Sequence, residues 1–474
     1  MNPQVRMLTT ALGIALPWAP LHASADDATL QALVERLERL EQRLGAVPPA
    51  AASDEVADLQ SRLAILERKL EIQAEEAAAK APTTPAVAIN EKGLAVKTPK
   101  GDFDLKLRGL IHFDQRWFVS DDDAPFNDTQ GFRRLRPTLE GTLTPLLAYR
   151  ITPEFAGDSA TVVDAYLDVR FDPRYTLRAG KVKGPVGLER LQSASAIGLI
   201  ERGFATELAP NRDIGVQLQG EVFGGRAQYA IGLFNGTADG RDSPTQDADN
   251  KQEWAGRVFF EPWRNSANAL AGLGFGLAAS VGDKEGAGNN FLPCYRTPGQ
   301  NVFFNYRSTV VADGEHRRLS PQAYYYRNRL GLLGEYIRSE QELTLSNNAA
   351  ARASLENDAW QITASWVLTG EDASYKGVAK PNQPFALGAP GWGAFEIVGR
   401  YGELDIDDDA FPLYASADAA ATQARAWGIG LNWYLTSNLK LVVNHARARF
   451  SGGASGGRDR PDEQTVFTRL QVAF

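Results

Sequence analysis

Arginine provides the most evident chemistry in this sequence. Arg133, Arg134 and Arg136 place three cations within four positions at the start of a predicted strand. A guanidinium stays charged and offers a planar fork of donors that fits the oxygens of an oxyanion. Adjacent residues of a regular strand point to opposite faces, so Arg133 and Arg134 can share a face only at a strand end or a bulge. The cluster predicts anion binding, with a solvated charge balanced by nearby carboxylates as the alternative for any single arginine.

The remaining polar motifs favour neither an enzyme nor a metal site. The acidic runs Asp121–Asp123 and Asp405–Asp409 lack the spacing of a calcium loop and are typical of solvated loop tips. The four histidines show no metal-ligand spacing, and one cysteine excludes a disulfide framework. The alternative is an enzyme that acts on lipid through a serine activated by His112 or His445. The sequence shows no convincing pairing of this kind. We therefore expect no enzyme activity, cofactor or metal.

Alternating strands must position these side chains. From about Phe103 onward, segments of roughly ten residues alternate apolar and polar side chains, which is the length that crosses a bilayer when tilted. The last segment, Thr465–Phe474, ends on an aromatic residue, as closing strands of outer-membrane barrels do. No long apolar run follows the N-terminus, and the net charge of -8 argues against bulk nucleic-acid binding. The predicted fold class is all-β: a transmembrane antiparallel barrel of about 16 strands over residues 102–474, in the bacterial outer membrane.

The predicted connections mostly alternate in length. The tight turns are Thr144–Leu147, Asp172–Tyr175, Phe223–Arg226 and Leu435–Leu439. The long connections are Phe118–Gly131, Val182–Asp213, Asn235–Gln252, Gly282–Ser320 and Leu404–Ala424. Short periplasmic turns with long outer loops produce this alternation. The stretch Gly370–Gly391 breaks it, because it is long where a turn is due.

The N-terminal region predicts export. Residues 1–25 combine a positive charge, an apolar stretch and the cleavage signature Ala23-Ser24-Ala25 of a signal peptide, with a short buried helix as the alternative. Residues 26–76 carry leucines at heptad spacing, which predicts a periplasmic coiled-coil arm; a helix lying on the protein's own surface is the alternative. Each heptad stretch is too short to be stable alone, so we expect partners, in a homotrimer. Residues 77–101 are predicted as a linker.

A series of short motifs from about Phe103 to Phe474 resembles the phosphate-selective porin O and P family. The motifs are Phe132-Arg133-Arg134, Val163-Asp164, Leu177-Arg178-Ala179-Gly180-Lys181, Gly187-Leu188-Glu189-Arg190, Gly399-Arg400-Tyr401 and Gly428-Ile429-Gly430-Leu431-Asn432-Trp433-Tyr434. The last is the most specific, and the others gain weight from their order. The resemblance implies a trimer of sixteen-stranded barrels, whose third long loop folds into the lumen as a constriction that binds phosphate or polyphosphate.

By position, the resemblance carries anion-binding roles to a small set of residues. These are Arg133, Arg134, Asp164, Arg190 and Ser193, with Ser195 as a weaker match. Arg190 stands where the family has a lysine. Leu110 stands where the family has a first-strand arginine, with Arg108 two residues earlier on the same parity. Arg136 replaces an aromatic residue beside the arginine pair, so we include Arg108 and Arg136 in the candidate site.

The fifth loop limits what the resemblance implies about the substrate. This loop is rich in arginine in phosphate-specific members, and here it holds mainly Arg296 and Arg307. Anion preference is therefore better supported than phosphate specificity. The sequence predicts a passive, anion-preferring porin, with inorganic phosphate, pyrophosphate or other small anions as partners, surrounded by lipid bilayer and lipopolysaccharide. The alternatives are a less selective porin for other small anions or sugars, and an envelope-tethering barrel with a secondary pore.

Overall fold

The protein consists of two compact units, residues 1–84 and 85–474. A computed structural model describes residues 35, 39, 53–80, 85–119 and 126–474. In the first unit, helix α1 spans Ser53–Lys80, so it includes the second heptad stretch and continues beyond the predicted end of the arm at residue 76. The predicted signal peptide, most of the first heptad stretch and Asp121–Asp123 lie outside the described residues. No helix in the described part of the chain is long and apolar enough to cross a membrane.

The second unit begins with a hairpin inside the stretch predicted as a linker. Strands β1 (Ala86–Asn90) and β2 (Gly93–Lys97) pair antiparallel around a tight turn. Strand β2 also pairs with the first wall strand of the barrel. The Asn438 side-chain amide donates to the Glu91 carbonyl oxygen at 2.5 Å, which ties the hairpin to a turn late in the chain. Residues 86–97 are therefore part of the folded unit, because their alternating side chains allow them to extend the sheet.

The barrel wall contains sixteen antiparallel strands, as the sequence predicts. The first eight are β3 (Asp104–Phe118), β4 (Thr129–Thr142), β5 (Leu147–Glu154), β6 (Thr161–Asp172), β7 (Tyr175–Val182), β8 (Asp213–Val222), β9 (Ala227–Phe234) and β10 (Glu253–Phe260). The last eight are β11 (Leu273–Gly286), β14 (Val310–Arg327), β15 (Leu330–Leu345), β16 (Asn348–Val367), β17 (Ala394–Asp405), β18 (Ala421–Tyr434), β19 (Leu439–Ala454) and β21 (Glu463–Ala473). Shorter elements are β12 (Cys294–Arg296), β13 (Val302–Asn305), β20 (Arg458–Asp459), helix α2 (Leu188–Leu191) and 3-10 turns at Phe204–Glu207, Ala269–Gly272, Asp408–Ala410 and Ser455–Gly457.

The barrel closes between its first and last wall strands. Strand β21 pairs antiparallel with β3. The Phe474 N–H donates to the Gly109 carbonyl oxygen at 3.0 Å, and the Gly109 N–H donates to the Phe474 carbonyl oxygen at 2.9 Å. The Phe474 ring covers Gly109, because a Cβ added there would lie 2.4 Å from a ring atom. The alternating segment that ends on Phe474 is thus the closing strand.

Connection length distinguishes the two ends over most of the barrel; the exceptions are the short 346–347 at the loop end and the longer 261–272 and 368–393 at the turn end. At the turn end, the connections 143–146, 173–174, 223–226, 328–329 and 435–438 are short. At the loop end, the connections 183–212, 235–252 and 287–309 are long. The turn end faces the periplasm in outer-membrane barrels. Two predicted loops, Gly282–Ser320 and Leu404–Ala424, are shorter in the structure, because the strands on either side of them continue further.

The connection 183–212, called the inner loop, crosses the lumen. It leaves β7, yet the Leu188 N–H donates to Glu335 of β15 at 2.6 Å. The Ile200 N–H donates to Asn444 of β19 at 3.1 Å, and Arg469 of β21 donates to the Ile200 carbonyl oxygen at 2.7 Å. A segment anchored to these distant strands lies across the barrel interior.

An apolar core fills the loop end of the lumen beside β14–β19. The inner loop contributes Phe204, the connection 287–309 contributes Tyr295, and the connection 406–420 adds further buried side chains. The inward face of the wall contributes residues such as Leu343. These residues are almost fully buried, so this core immobilises three connections against one side of the wall. We call β14–β19 with this core the closed half.

The connection 368–393 accounts for the break in the predicted alternation. It joins β16 to β17 at the turn end, and its first part enters the barrel beneath the inner loop. The Tyr375 hydroxyl donates to the Leu188 carbonyl oxygen at 2.6 Å, and the Gln192 amide donates to the Tyr375 carbonyl oxygen at 2.7 Å. The Tyr375 ring stacks on Tyr324 of β14, with 5.3 Å between centroids. Part of the extra length therefore supports the inner loop.

Candidate functional site

The lumen beside β3–β10 is open, and we call it the open half. Its cavity has a volume of about 910 Å³ and reaches from the inner loop to the turn end. Eight basic residues line it, against three acidic ones. The basic residues are Lys92, Arg108, Arg136, Arg150, Arg178, Lys183, Arg212 and Arg257, and the acidic residues are Glu91, Asp164 and Glu221. An excess of positive charge along a lumen favours anions over cations, and carboxylates paired with the arginines reduce this excess.

Four predicted site residues line this cavity. They are Arg108, Arg136, Asp164 and Ser193. The Arg136 Nε donates to Glu154 at 2.6 Å, and the Arg108 Nε donates to Glu140 at 2.6 Å. A guanidinium has five N–H donors, so each of these pairs leaves donors available for an ion in the cavity.

Carboxylates hold other arginines of the cavity in place. Arg178 makes two bonds to Asp168, at 2.7 and 2.9 Å, and its guanidinium carbon lies 4.0 Å from the centroid of the Tyr166 ring. The Arg212 Nε donates to Asp164 at 3.3 Å. Two-point pairing and ring stacking fix the orientation of a guanidinium. The acidic residues therefore order the cations while they reduce the net positive charge.

A bulge brings the predicted arginine pair to one face of its strand. In the ladder between β3 and β4, His112 pairs with Arg134 and Phe113 pairs with Phe132, so Arg133 is an extra residue. A bulge sets two residues of one strand opposite one residue of its partner. Adjacent side chains can then share a face, which a regular strand forbids. Of the two arrangements that let Arg133 and Arg134 share a face, a strand end and a bulge, the structure contains the bulge.

Arg133 binds the inner loop instead of lining the cavity. Its Nε donates to Glu201 at 2.7 Å. Glu201 also accepts a hydrogen bond from Arg116 at 2.8 Å and lies 3.5 Å from Arg469. Burial alone would raise the pKa of the Glu201 carboxyl, but the surrounding arginines, Arg133 and Arg134 foremost, hold this pKa well below its usual range. Glu201 therefore stays charged and attaches the inner loop to the wall.

Arg134 and Arg190 are buried away from the cavity. The Arg134 Nη1 lies 3.1 Å from the His112 Nδ1, and 4% of the residue is exposed. Arg190, in α2, donates to the Asn211 side chain at 3.0 Å and to the Thr206 carbonyl oxygen. Their hydrogen bonds shape the wall and the inner loop, so the structure divides the seven predicted residues into four that line the cavity and three that do not.

Two cations of the inner loop were missed by the sequence analysis. The Lys183 Nζ donates to the Leu191 and Gln192 carbonyl oxygens at 3.2 and 2.9 Å. The Arg202 Nη2 donates to the same Gln192 carbonyl oxygen at 2.8 Å. Burial lowers the pKa of Lys183 well below the ordinary lysine value, and the charge of Arg202 lowers this pKa further. Burial, together with the nearby Arg190, lowers the pKa of Arg202 to about 9.

Four arginines of the cavity were also not selected from the sequence. They are Arg150, Arg178, Arg212 and Arg257. Arg150, Arg178 and Arg257 stand in wall strands, so their strand parity carried a signal that could have identified them. Arg212 closes the inner loop directly before β8, and only the folded loop brings it to Asp164.

A buried polar cluster near the connection 235–252 lacks the geometry of a catalytic triad. The His316 Nε2 lies 2.9 Å from the Ser339 Oγ and 3.3 Å from Asp239. In a triad, the nucleophile and the carboxylate approach different ring nitrogens. Arg318 instead joins Asp239 to Glu253, with bonds of 2.6 and 2.8 Å. Among the described residues, no three His, Cys, Asp or Glu side chains are grouped as metal ligands.

Comparison with known proteins places this architecture in a family. Residues 105–474 match the family model described as phosphate-selective porin O and P. Porin O of Pseudomonas aeruginosa is 24% identical over 409 residues, which are 81% of this chain and 91% of that protein. Among solved structures, an anion-selective porin from Comamonas acidovorans has a TM-score of 0.48 at 14% identity, covering 79% of this chain and 100% of that one. The outer membrane channel DcaP of Acinetobacter baumannii has a TM-score of 0.49 at 13% identity, covering 80% and 99%. The chain therefore belongs to the phosphate-selective porin O and P family, which consists of outer-membrane channels and not of enzymes.

Proposed function

We propose that this outer-membrane porin gives small anions passive passage through its open half. The excess of basic over acidic residues around the cavity is the observation that carries the proposal. The inner loop narrows the lumen, and wall arginines with free donors replace part of an ion's hydration shell. Such sites must bind weakly enough to release the ion, so several moderate contacts serve conduction better than one tight site.

Phosphate and polyphosphate are the anions that we propose first. The planar donor forks of Arg108 and Arg136 suit tetrahedral oxyanions, and the Ser193 and Ser195 hydroxyls, 2.9 Å apart, offer further donors. In this proposal Asp164 orders Arg212, whereas Arg133, Arg134 and Arg190 set the shape of the constriction. Family membership supports phosphate as the substrate class. A less selective pore for other small anions or sugars is the alternative.

Electrical measurements test this function. The full-length chain is reconstituted into planar bilayers, and the reversal potential is measured in a potassium chloride gradient. We expect the sign of an anion-selective channel, because cations meet a positive lumen. Phosphate and pyrophosphate added to the chloride solution should reduce the chloride current. A reversal potential of the opposite sign would refute anion preference, and equal effects of phosphate and acetate would favour the less selective pore.

Three features outside the pore are also proposed. The chain acts as a homotrimer, its signal peptide is removed on export, and its N-terminal arm lies in the periplasm, with lipid and lipopolysaccharide around the barrel. The heptad leucines and the family resemblance support the trimer.

The trimer and the arm can be tested separately. Crosslinking in mild detergent should yield three chains, and a conducting monomer would contradict the trimer. Deletion of residues 26–76 should leave conductance intact; a loosened cell envelope after this deletion would favour the tethering alternative.

A further inference from the structure

The second part of the connection 368–393 forms a closed loop without charged side chains. The Gly393 N–H donates to the Gln383 carbonyl oxygen at 2.8 Å, which closes the neck of the loop. Residues 384–392, called the apolar loop, read Pro-Phe-Ala-Leu-Gly-Ala-Pro-Gly-Trp. A Cβ added to Gly391 would lie 2.3 Å from the Pro384 carbonyl oxygen, so the two arms of the loop pass close together. The loop is thus a compact unit made of apolar residues.

The tip of the apolar loop exposes large apolar side chains. Leu387 is 93% exposed and Trp392 is 66% exposed. Exposure of such large apolar side chains to water is unfavourable. The neck, by contrast, is well bonded, because Phe385 donates its N–H to the Leu435 carbonyl oxygen at 2.7 Å. A fixed loop that displays an apolar tip indicates an apolar environment around that tip.

The apolar loop adjoins the outward face of the wall. The Phe385 ring lies 5.7 Å from the Trp433 ring, and the Trp433 Nε1 donates to the Trp392 carbonyl oxygen at 2.6 Å. Trp433 stacks on Phe395, with 5.6 Å between centroids. The next outward residue along β18, Leu431, is 42% exposed. The apolar loop therefore continues the apolar outer surface of the barrel at its turn end.

We propose that the apolar loop inserts into the periplasmic leaflet of the outer membrane and binds phospholipid at the boundary between headgroups and acyl chains. Tryptophan and other aromatic residues collect at this level of a membrane, and the turn end of the barrel faces the periplasm. Continuity with the outward face of the wall selects phospholipid over a second copy of the chain or a periplasmic protein. The proposal does not depend on which solute the pore conducts.

Spin labels locate the tip of the loop. In a Cys294→Ser background, Leu387→Cys carries a nitroxide, and the full-length chain is reconstituted into vesicles of phosphatidylethanolamine and phosphatidylglycerol. Leu431→Cys provides the lipid reference, and Lys92→Cys provides an exposed reference at the turn end. The label at residue 387 should collide more often with oxygen than with a water-soluble nickel chelate, as the label at residue 431 does. The proposal is overturned if the label at residue 387 collides with the nickel chelate as often as the label at residue 92 does. It is also overturned if the label at residue 387 is shielded from both reagents, which would indicate a protein neighbour.

Fluorescence gives an independent measurement with a milder substitution. Wild-type protein and Trp392→Phe are compared in vesicles with and without brominated acyl chains, which quench tryptophan only by contact. The wild type should lose more of its emission than the variant, because Trp392 lies among the acyl chains. Equal absolute losses of emission per mole of protein overturn the proposal, since the remaining tryptophans would then account for all of the quenching.

Discussion

The closed half and the open half of the barrel use one wall geometry for different purposes. In the closed half, inward residues such as Leu343 and Phe450 pack against the loops in an apolar core. In the open half, inward residues such as Arg136 and Arg178 pair with carboxylates around a cavity. Apolar packing immobilises a loop, whereas paired charges leave donors and space for an ion. The closed half thus immobilises the loops, and the open half provides the charged cavity.

The inner loop connects the two halves. Its residue Phe204 is buried in the closed half, and its residue Ser193 faces the cavity. Glu201 binds Arg133 and Arg116 on the wall strands near the seam of the barrel. An ion site works best when its groups are held in place before the ion arrives. The closed half therefore holds in place the part of the inner loop that faces the cavity.

Disruption of the closed half should produce the largest change in stability. Phe204 is 1% exposed and packs on Phe303, with 5.8 Å between ring centroids. Phe204→Ala should lower the free energy of unfolding by about 3–5 kcal/mol, because it removes a buried ring and leaves a cavity. The loosened inner loop should also make the channel conductance larger or noisier. Urea unfolding in lipid vesicles and single-channel recording measure the two effects.

A matched aromatic residue outside the core provides the control. Phe260 lies in a wall strand and is 39% exposed, so Phe260→Ala should have a smaller effect on stability and none on conductance. If Phe204→Ala lowers stability and the conductance stays that of the wild type, then the closed half does not determine the position of the inner loop.

Loss of the link between the halves should have the next largest effect. Glu201→Gln leaves Arg133 without a buried counter-charge, whereas Arg116 and Arg469 keep their pairs with the buried Asp114. Removal of one partner from a buried ion pair lowers the free energy of unfolding by roughly 3–5 kcal/mol. The glutamine amide keeps some of the hydrogen bonds, so we expect a loss at the lower limit of this range. Anion preference should rise in the folded channel, because one negative charge is removed and Arg133 loses its compensation. Reversal potentials measure this, and an unchanged value would mean that the charge of Arg133 does not reach the ion path.

An exposed ion pair serves as the reference for Glu201. Glu340 binds Arg317, whose side chain is 57% exposed. Glu340→Gln should change stability by less than about 1 kcal/mol, because water screens exposed pairs. Its reversal potential should equal that of the wild type.

The sequence predicted the wall well, because strand alternation is a local property. It could not show that the inward face becomes apolar in part of the barrel. In β18, Ala424 and Ala426 face the core while Arg425 lies on the exposed face, which reverses the rule of a polar lumen at the loop end. Alternation indicates which residues share a face of a strand. Whether the inward face contacts water or an apolar core depends on how the loops pack inside the barrel. The same limit explains why Lys183 and Arg202 were missed, since their positions depend on distant contacts of the inner loop.

Charges of the open half should govern selectivity more than the arginine pair at the bulge. Arg136→Ala with Arg178→Ala removes two cations that line the cavity. Arg133→Ala with Arg134→Ala removes two that bind Glu201 and His112 instead. Both double variants should shift the reversal potential toward zero, and the cavity pair should shift it more. Loss of one charge-assisted contact should weaken phosphate block by roughly 1.5–3 kcal/mol.

Lysine replacements separate charge from geometry in this comparison. Arg136→Lys with Arg178→Lys should keep most of the anion preference, because the charge remains when the planar fork is lost. A larger shift from the bulge pair than from the cavity pair would place the selective site at the bulge and would contradict the role assigned to the open half.

The smallest expected effect is a pH dependence that originates at Lys183. Burial lowers the pKa of this lysine well below its ordinary value; Arg202, Arg212 and Arg190 lower it further, and Asp164 opposes them. Lys183 is charged below its pKa, so its contribution to anion preference should disappear as the pH rises through the lowered value. Between that value and the ordinary lysine value the unfolded chain binds more protons, so stability should rise with pH in the same window.

Replacement by arginine tests this origin. Lys183→Arg should reduce the change in reversal potential that the wild type shows, because a guanidinium holds its proton to a higher pH than an ammonium group in the same place. Lys92→Arg, at another lysine that lines the cavity, should keep the wild-type profile. Reversal potentials recorded from acidic to alkaline pH measure the difference between the two variants. If the reversal potential of Lys183→Arg changes with pH as that of the wild type does, the pH dependence arises elsewhere in the open half. The charge of Lys183 then has no influence on the ion.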